Sequence, residues 1–283
     1  MIWKIGSLTD QSLEVQKKVW AEIAKKLSLD LQFAEVPAEI LADPIENLKN
    51  LEGFNALILS PALADEFLEV WPKVPAEVVE AGFSDVVLFD KKQWWFRCFL
   101  KDALKQLIID SAPQLDTHSF VYVTGSDNQT RLCASVAIHM GFRKIVFVAK
   151  DQDAVRYLVD RLQKMFFDLS VKVIRDTELT LQPNNGSLLL NTIAADSGEA
   201  ILDDLPYLNF LKKEGLVVDL PFPAGLQQLQ EEAAHVGIRH LNGFDLGVRR
   251  DYLFLQNLLG PAFSLSREEH LQIWKSSSET KTE

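Results

Sequence analysis

Apolar runs short enough to be strands alternate with amphipathic segments along nearly all of the 283 residues. The first run, "MIWKIG", leads into "SLEVQKKVWAEIAKKLSL", where Leu13, Val19, Trp20, Ile23 and Leu27 recur at the steps of one helix face. "LQFAEVP" predicts a strand, "PIENLKN" a short helix, "FNALILS" a strand and "ALADEFLEVW" a helix. "DVVLFD" and "WWFRCFL" flank "KKQ" and predict a hairpin, and "LKDALKQLIIDSA" a helix leading out of this region.

From Ser119 the alternation becomes regular. Six apolar runs, "FVYVTG", "KIVFVAK", "VKVIRD", "SLLLNT", "GLVVDLP" and "IRHLNG", are separated by mostly helical stretches, including one between "SLLLNT" and "GLVVDLP". Strands apolar on both faces imply a parallel sheet covered on both sides. "FDLGVRRDYLFLQNLLG" and "SREEHLQIWKS" are helical, and the polar tail "KSSSETKTE" is expected to fray. The predicted class is α/β: an N-terminal α/β domain of 1–104 with 243–283, and a Rossmann-like doubly wound domain of 105–242. A ligand is expected in the cleft between them.

Composition narrows the partners. At 47% hydrophobic there is material for real cores, and a net charge of -11 repels nucleic acid and anionic membranes. The basic and aromatic "KKQWWFRCF" is accordingly read as core, with Lys91 and Lys92 in a turn. Cys98 and Cys133 form neither a disulfide framework nor a zinc motif. The N-terminus lacks the pattern of a signal peptide, and no apolar run approaches the ~20 residues that span a bilayer, so a cytoplasmic protein is expected. His118, His139, His235, His240 and His270 are scattered, which predicts solvated loop histidines and no metal. GxSxG, HExxH and GxxxxGK[ST] are absent.

The strand–turn–helix–strand layout of Ser119 to Lys150 is that of a dinucleotide-binding unit, with Gly125, Ser126, Asp127, Asn128 and Gln129 at the turn. Gly125 keeps the tight turn, Ser126 is tolerable, and Asn128 tolerates a left-handed backbone. Asp127 is a helix cap in the place where bare N–H groups would meet an anion. Arg131, one turn on, is a candidate partner for Asp127. Lys150 and Asp151 follow the second strand, where an NAD-type site prefers an acidic residue for the ribose hydroxyls.

Several segments together resemble the shikimate dehydrogenase family over nearly the whole chain. "IGSLTDQSLEV" is similar to the family's opening loop, "GFNALILSP" to its "GxNVTIPHK", and "VVDLPFPAGLQQLQEEAAHVGIRHLNGFDLGVRRDYLFLQNLLG" to its ending. Asp219, Gly237, Asn242, Gly243 and Gly260 fall in register. The resemblance implies hydride transfer between NADP and a cyclic hydroxy acid in aromatic amino acid biosynthesis, with a monomer or homodimer. It also implies a Lys and an Asp at the reacting oxygen, two serines and a Tyr on the carboxylate, and an Asn and a Gln on the ring hydroxyls. By that correspondence Ser12 keeps one serine and Glu14 replaces the other as a buried carboxylate. Pro61 replaces the Lys, Phe99 the Asp, Asp85 the Asn, Phe222 the Tyr and Arg250 the Gln.

Lys101 and Asp102 are either a displaced catalytic pair or, more simply, solvated first-turn residues. Arg249 and Arg250 could clasp an anionic ligand, or Arg250 could neutralise Glu14 or Asp85 in an internal network; the latter is preferred. Gly125, Ser126, Asp127, Asn128, Lys150 and Gly243 are the candidate cofactor residues, and the resemblance implies NADP rather than NAD, because Lys150 stands roughly where the family has an Arg on the extra phosphate of NADP. The replacements predict a divergent member that does not oxidise shikimate, a non-catalytic binder of a small metabolite or partner. The alternative is an NADP-dependent oxidoreductase acting on shikimate, quinate or another small hydroxy acid.

Overall fold

The computed structural model describes residues 2–8, 13–36, 51, 53–59, 74–90, 93–222 and 225–279. The helices expected at "PIENLKN" and "ALADEFLEVW", the turn of Lys91 and Lys92, Ser12 and Pro61 lie outside these residues. The chain divides into two compact units, 1–100 with 248–283, and 101–247.

The first unit is built on a five-stranded sheet. Its strands β1 (Ile2–Leu8), β2 (Asp30–Glu35), β3 (Ala56–Leu59), β4 (Val86–Asp90) and β5 (Gln93–Arg97) stand in the order β2-β1-β3-β4-β5. β1 is parallel to β2 and β3, while β4 runs antiparallel to both its neighbours, β3 and β5. Helix α1 (Glu14–Leu27) buries Val19, Trp20 and Ile23, and Ser28 ends it in the left-handed conformation. A short helix, α2 (Ala76–Ala81), was not signalled by the residue pattern.

The strand expected over "WWFRCFL" stops at Arg97, and α3 (Phe99–Ser111) begins where a strand end was predicted. The reason is non-local: both carboxylate oxygens of Asp85 accept amide hydrogens at the helix start, from Phe99 N and Leu100 N, each at 2.9 Å. This satisfies two of the donors that every helix N-terminus leaves open.

The second unit carries six strands: β6 (Phe120–Thr124), β7 (Lys144–Val148), β8 (Ser170–Ile174), β9 (Gly186–Asn191), β10 (Leu211–Asp219) and β11 (Arg239–Leu241). All neighbours pair in parallel, in the order β8-β7-β6-β9-β10-β11. That is the doubly wound arrangement whose order reverses between the first strand and the fourth, β6 and β9. The helices are α4 (Asn128–His139), α5 (Gln152–Met165), α6 (Ile201–Asp204) and α7 (Gln227–Val236). Tyr122, Val146, Leu189 and Val217 from four adjacent strands share one buried core with Phe210, Leu229 and Ala233.

The helix expected between "SLLLNT" and "GLVVDLP" is only α6 and a 3-10 turn over Leu205–Tyr207. Pro206 and the left-handed Leu208 prevent it from continuing. The last helices are α8 (Gly243–Leu259) and α9 (Arg267–Glu279), so the first residues of the tail expected to fray are helical.

Candidate functional site

At the turn after β6, Gly125 has φ +106°. A Cβ there would overlap Thr192 Oγ1 and come within 2.8 Å of Thr130 Oγ1, so the turn admits only glycine. Asp127 caps α4: its Oδ1 accepts from Thr130 N at 2.9 Å and from Thr130 Oγ1 at 3.0 Å. Asn128 does not use the left-handed backbone it could tolerate; it is the first residue of α4, directly after the Asp127 cap. Arg131 is buried within α4.

Gly125 and Ser126 line an open cavity of about 720 Å³ with Lys150, Asp151, Arg175 and Glu199. It lies at the carboxyl ends of β6, β7 and β8, where doubly wound sheets hold ligands. Val148 and Ile174 are partners in register, so Lys150 and Arg175 leave the ends of adjacent strands. Two of the three acidic residues in the lining, Asp151 and Asp153, have partners. Asp151 caps α5, accepting from Asp153 N at 3.0 Å and Ala154 N at 3.1 Å, and Asp153 pairs with Arg156 at 3.0 Å.

Gly243 is not in the cavity lining. A Cβ there would overlap Pro221 O and approach Leu220 O at 2.6 Å, so this glycine lets α8 start hard against the chain leaving β10. Phe222 is half-exposed and packs its ring on Gly247.

The ends of β6, β9 and β10 are joined by buried polar side chains. Thr124 Oγ1 donates to Asn191 Oδ1 at 2.5 Å, and Asn191 Nδ2 to Asp219 Oδ1 at 2.7 Å. Thr192 Oγ1 donates to Thr124 O at 2.7 Å, and Leu226 N to Asp219 Oδ2 at 2.6 Å. Burial pushes the Asp219 carboxyl up, with Asn191 and the Leu226 amide opposing. Burial also pushes His240 down, against the pull of Asp219 and Asp245.

In the first unit, Asp85 and Arg250 meet. Arg250 Nε lies 3.0 Å from Asp85 Oδ2 and its Nη2 donates to Asp85 O at 3.3 Å; the side chains are 15% and 5% exposed. Glu14 does not join them. It sits exposed in the first turn of α1 and pairs with Lys17 at 3.0 Å, one turn along, so the expected buried carboxylate is a surface one. Phe99 presents its amide to Asp85 and packs its buried ring on Phe254, with centroids 5.9 Å apart.

Lys101 is buried, contrary to the solvated position expected, because its side of α3 faces inward; Asp102 is exposed. Neighbours on a helix point some 100° apart, which does not suit a concerted pair.

The solvated-loop expectation also fails: His139 and His235 are exposed but helical, and two further histidines are withdrawn from solvent. His240 is in β11 and partly buried. His270 is wholly buried in α9, with Nε2 3.0 Å from Asp251 Oδ2. Asp251 also accepts from Gln16 Nε2 (2.9 Å), Trp20 Nε1 (2.8 Å) and Trp274 Nε1 (3.0 Å), so one carboxylate ties α1, α8 and α9. Among the described residues no group of three or more His, Cys, Asp or Glu is placed to hold a metal, and no helix is long and apolar enough to cross a membrane.

No family model and no curated protein matches the chain. Solved structures do. Quinate dehydrogenase from Corynebacterium glutamicum in complex with NAD aligns with a TM-score of 0.78 at 13% identity, covering 98% of this chain and 99% of that one. Shikimate 5-dehydrogenase from Listeria monocytogenes, in complex with shikimate and NAD, aligns at 0.77 and 14%, covering 96% and 95%. The ligand-free 5-ketofructose reductase of a Gluconobacter strain aligns at 0.73 and 16%, covering 98% and 99%.

The chain has the shikimate dehydrogenase fold. Within that fold, the five-stranded mixed sheet and the six-stranded parallel sheet account for the two halves predicted from the residue pattern. Arg175 and Glu199, which line the cavity of the second unit, were not singled out in the sequence. A signal for Arg175 existed: it follows "VKVI" much as Lys150 follows "KIVFVA", a basic residue just beyond each strand end. Chemically, the cavity presents two cations and three carboxylates, Asp151, Asp153 and Glu199, beside a glycine turn, whereas Asp85 and Arg250 present mainly each other.

Proposed function

We propose that this is a divergent shikimate-dehydrogenase-like protein that binds a small metabolite and does not oxidise shikimate by the route its fold relatives would suggest. The Asp85–Arg250 pair carries the proposal. Its residues correspond, in the resemblance, to an Asn and a Gln that reach the ring hydroxyls of the substrate. Here the carboxylate is satisfied by one guanidinium and two backbone amides. A ligand hydroxyl would have to displace a charge-assisted contact in a largely buried setting. Phe99, at the position corresponding to the acid, offers a ring without a titratable proton, so it supports no general acid–base step.

Binding is supported by the cavity of the second unit. Its volume is within the roughly 300–1,000 Å³ typical of small-molecule sites. The test is an initial-rate assay with shikimate and quinate, each with NADP⁺ and NAD⁺. No reduced nicotinamide is expected, and measurable turnover that disappears in Arg250→Ala would overturn the proposal.

One observation favours a second reading, an NADP-dependent oxidoreductase acting on another small hydroxy acid. Lys150 and Arg175 give the cavity the cations that a phosphorylated ribose needs. The 5-ketofructose reductase with this fold shows that the architecture serves more than one named substrate. A panel of hydroxy acids and sugars assayed with NADP⁺ separates the readings.

A further inference from the structure

We infer that α9 is a latch: it opens and closes as one piece on the rest of the first unit, Asp251 is its catch, and one added proton releases it. This holds whatever the second unit binds.

Little else holds the helix down. Among the described residues of α9 only His270 and Trp274 are buried, and each places a ring nitrogen 3.0 Å from the same atom, Asp251 Oδ2. Leu271 and Ile273 are partly exposed. The ion pair of Glu269 with Lys26 is half in solvent, where such pairs contribute little. The other oxygen of Asp251 serves α1: Oδ1 accepts from Gln16 Nε2 and Trp20 Nε1. But α1 also has apolar anchors in Val19 and Ile23, and α8 has Phe254 and Leu255.

The hinge is in place as well. Tyr252 Oη donates to Leu265 O at 3.2 Å and pins the chain just before α9. At Ser266 the helix starts on a capping box of its own: Glu269 N donates to Ser266 Oγ at 3.2 Å, and Ser266 N to Glu269 Oε2 at 2.9 Å. Those bonds travel with α9, so it keeps its start when it swings away.

An added proton has no seat in this cluster. With Asp251 ionised, His270 Nε2 carries the hydrogen between them and Nδ1 is bare; Nδ1 is buried with no hydrogen-bond partner among the described residues. The ring meets those of Tyr252 and Phe263 edge to face, with centroids 5.5 and 6.2 Å away. A proton at Nδ1 becomes a buried donor without an acceptor, and one at either carboxylate oxygen confronts two N–H donors. Whichever bond yields, α1 stays on its apolar anchors; α9, buried only through the two rings that bond Asp251, is the element that leaves.

The other ionisable groups on these helices are engaged or solvated. Lys17 pairs with Glu14 and Glu35, Lys26 with Glu269, and Arg250 with Asp85. Lys18, Glu22, Lys25, Arg267, Glu268 and Lys275 are exposed, and Arg249 is partly so. Burial raises the Asp251 carboxyl, but its donors, His270 first, hold it below the ordinary 3.8. The catch is therefore set at neutral pH and yields as pH falls.

The experiment is amide hydrogen exchange on the full chain, read segment by segment as protection factors. At neutral pH, protection over 267–279 is expected at least about tenfold below that of β1 and β3, falling further as pH drops below 3.8 while the strands keep theirs. Trp274→Phe retains an aromatic ring but removes one donor, and should lower α9 protection about tenfold with β1 and β3 unchanged. Asp251→Asn offers one acceptor oxygen to four donors and should free α9 at neutral pH; Trp274→Phe decides the matter where that variant does not fold. Lys26→Ala breaks only the surface pair and should stay within about threefold of the wild type. Loss of α9 protection only in step with β1 and β3 would show one cooperative unit and overturn the latch. So would a Trp274→Phe or Asp251→Asn helix as protected as the wild type, or a loss in Lys26→Ala as large as in Trp274→Phe.

Discussion

Arg250 and Asp85 lie 165 positions apart, yet Nε and Oδ2 stand 3.0 Å from each other, and the same carboxylate caps α3 through Phe99 and Leu100. One side chain thus serves an ion pair and a helix start. Removing the arginine leaves a buried anion with only amide partners. Arg250→Gln is expected to lower unfolding free energy by about 3 kcal/mol. Asp85→Asn combined with Arg250→Gln should cost less than the two single changes added together, by about 1 kcal/mol or more. Urea denaturation of the four proteins at neutral pH checks both statements.

The buried Asp251 predicts an acid-side loss of stability. Burial raises its carboxyl, but His270, Gln16 and Trp274 more than compensate and hold it below the ordinary value of 3.8. A carboxylate depressed in the folded state stabilises above its unfolded value, and that contribution disappears as pH falls through the folded value. The advantage of the wild type over Asp251→Asn should therefore be full at neutral pH, about 3 kcal/mol, and shrink below pH 3.8. Denaturant midpoints measured from neutral to strongly acid pH give the profile.

His240 predicts a second pH dependence in a different window. Burial lowers its proton affinity from 6.5 in the folded chain, so unfolded molecules take up the proton first. Stability carried by the neutral ring is then complete above 6.5 and is lost as pH falls below that value. His240→Gln should flatten the melting temperature between neutral and mildly acid pH. A slope identical to the wild type would show that another group is responsible.

Much of this was readable from local pattern, and the failures share a cause. Six doubly apolar runs announced a parallel sheet, and Gly125 with Asp127 announced a tight turn and a cap, because those properties belong to a few neighbouring residues. Asp85 and Arg250 were visible as new charges, but Glu14 was an equal candidate until α1 placed it beside Lys17. Arg175 enters the cavity only through the register of β7 and β8, which no single segment encodes. The start of α3 was misplaced because its cap comes from Asp85, fourteen positions before Phe99. His270 looked solvated because its partner Asp251 lies on another helix.

Glycine substitutions test the close approaches. Gly125→Ala adds both a disfavoured φ and a collision with Thr192, whereas Gly237 has φ +75° with nothing near its added Cβ. Gly237→Ala should cost about 1–2 kcal/mol from backbone alone, and Gly125→Ala clearly more. Gly243→Ala drives a methyl into backbone carbonyls that cannot rotate away, at about 1–3 kcal/mol. Thermal melts of the three variants should rank Gly237→Ala as the mildest.

The first unit draws on the stretches before and after the second, which is continuous. A ribosome therefore releases every residue of the second unit before it has made Asp251 and Trp274, the partners awaited by Gln16 and Trp20. Helix α1 must therefore wait for α8 and α9 to complete the packing around Trp20, although the second unit between them is already made.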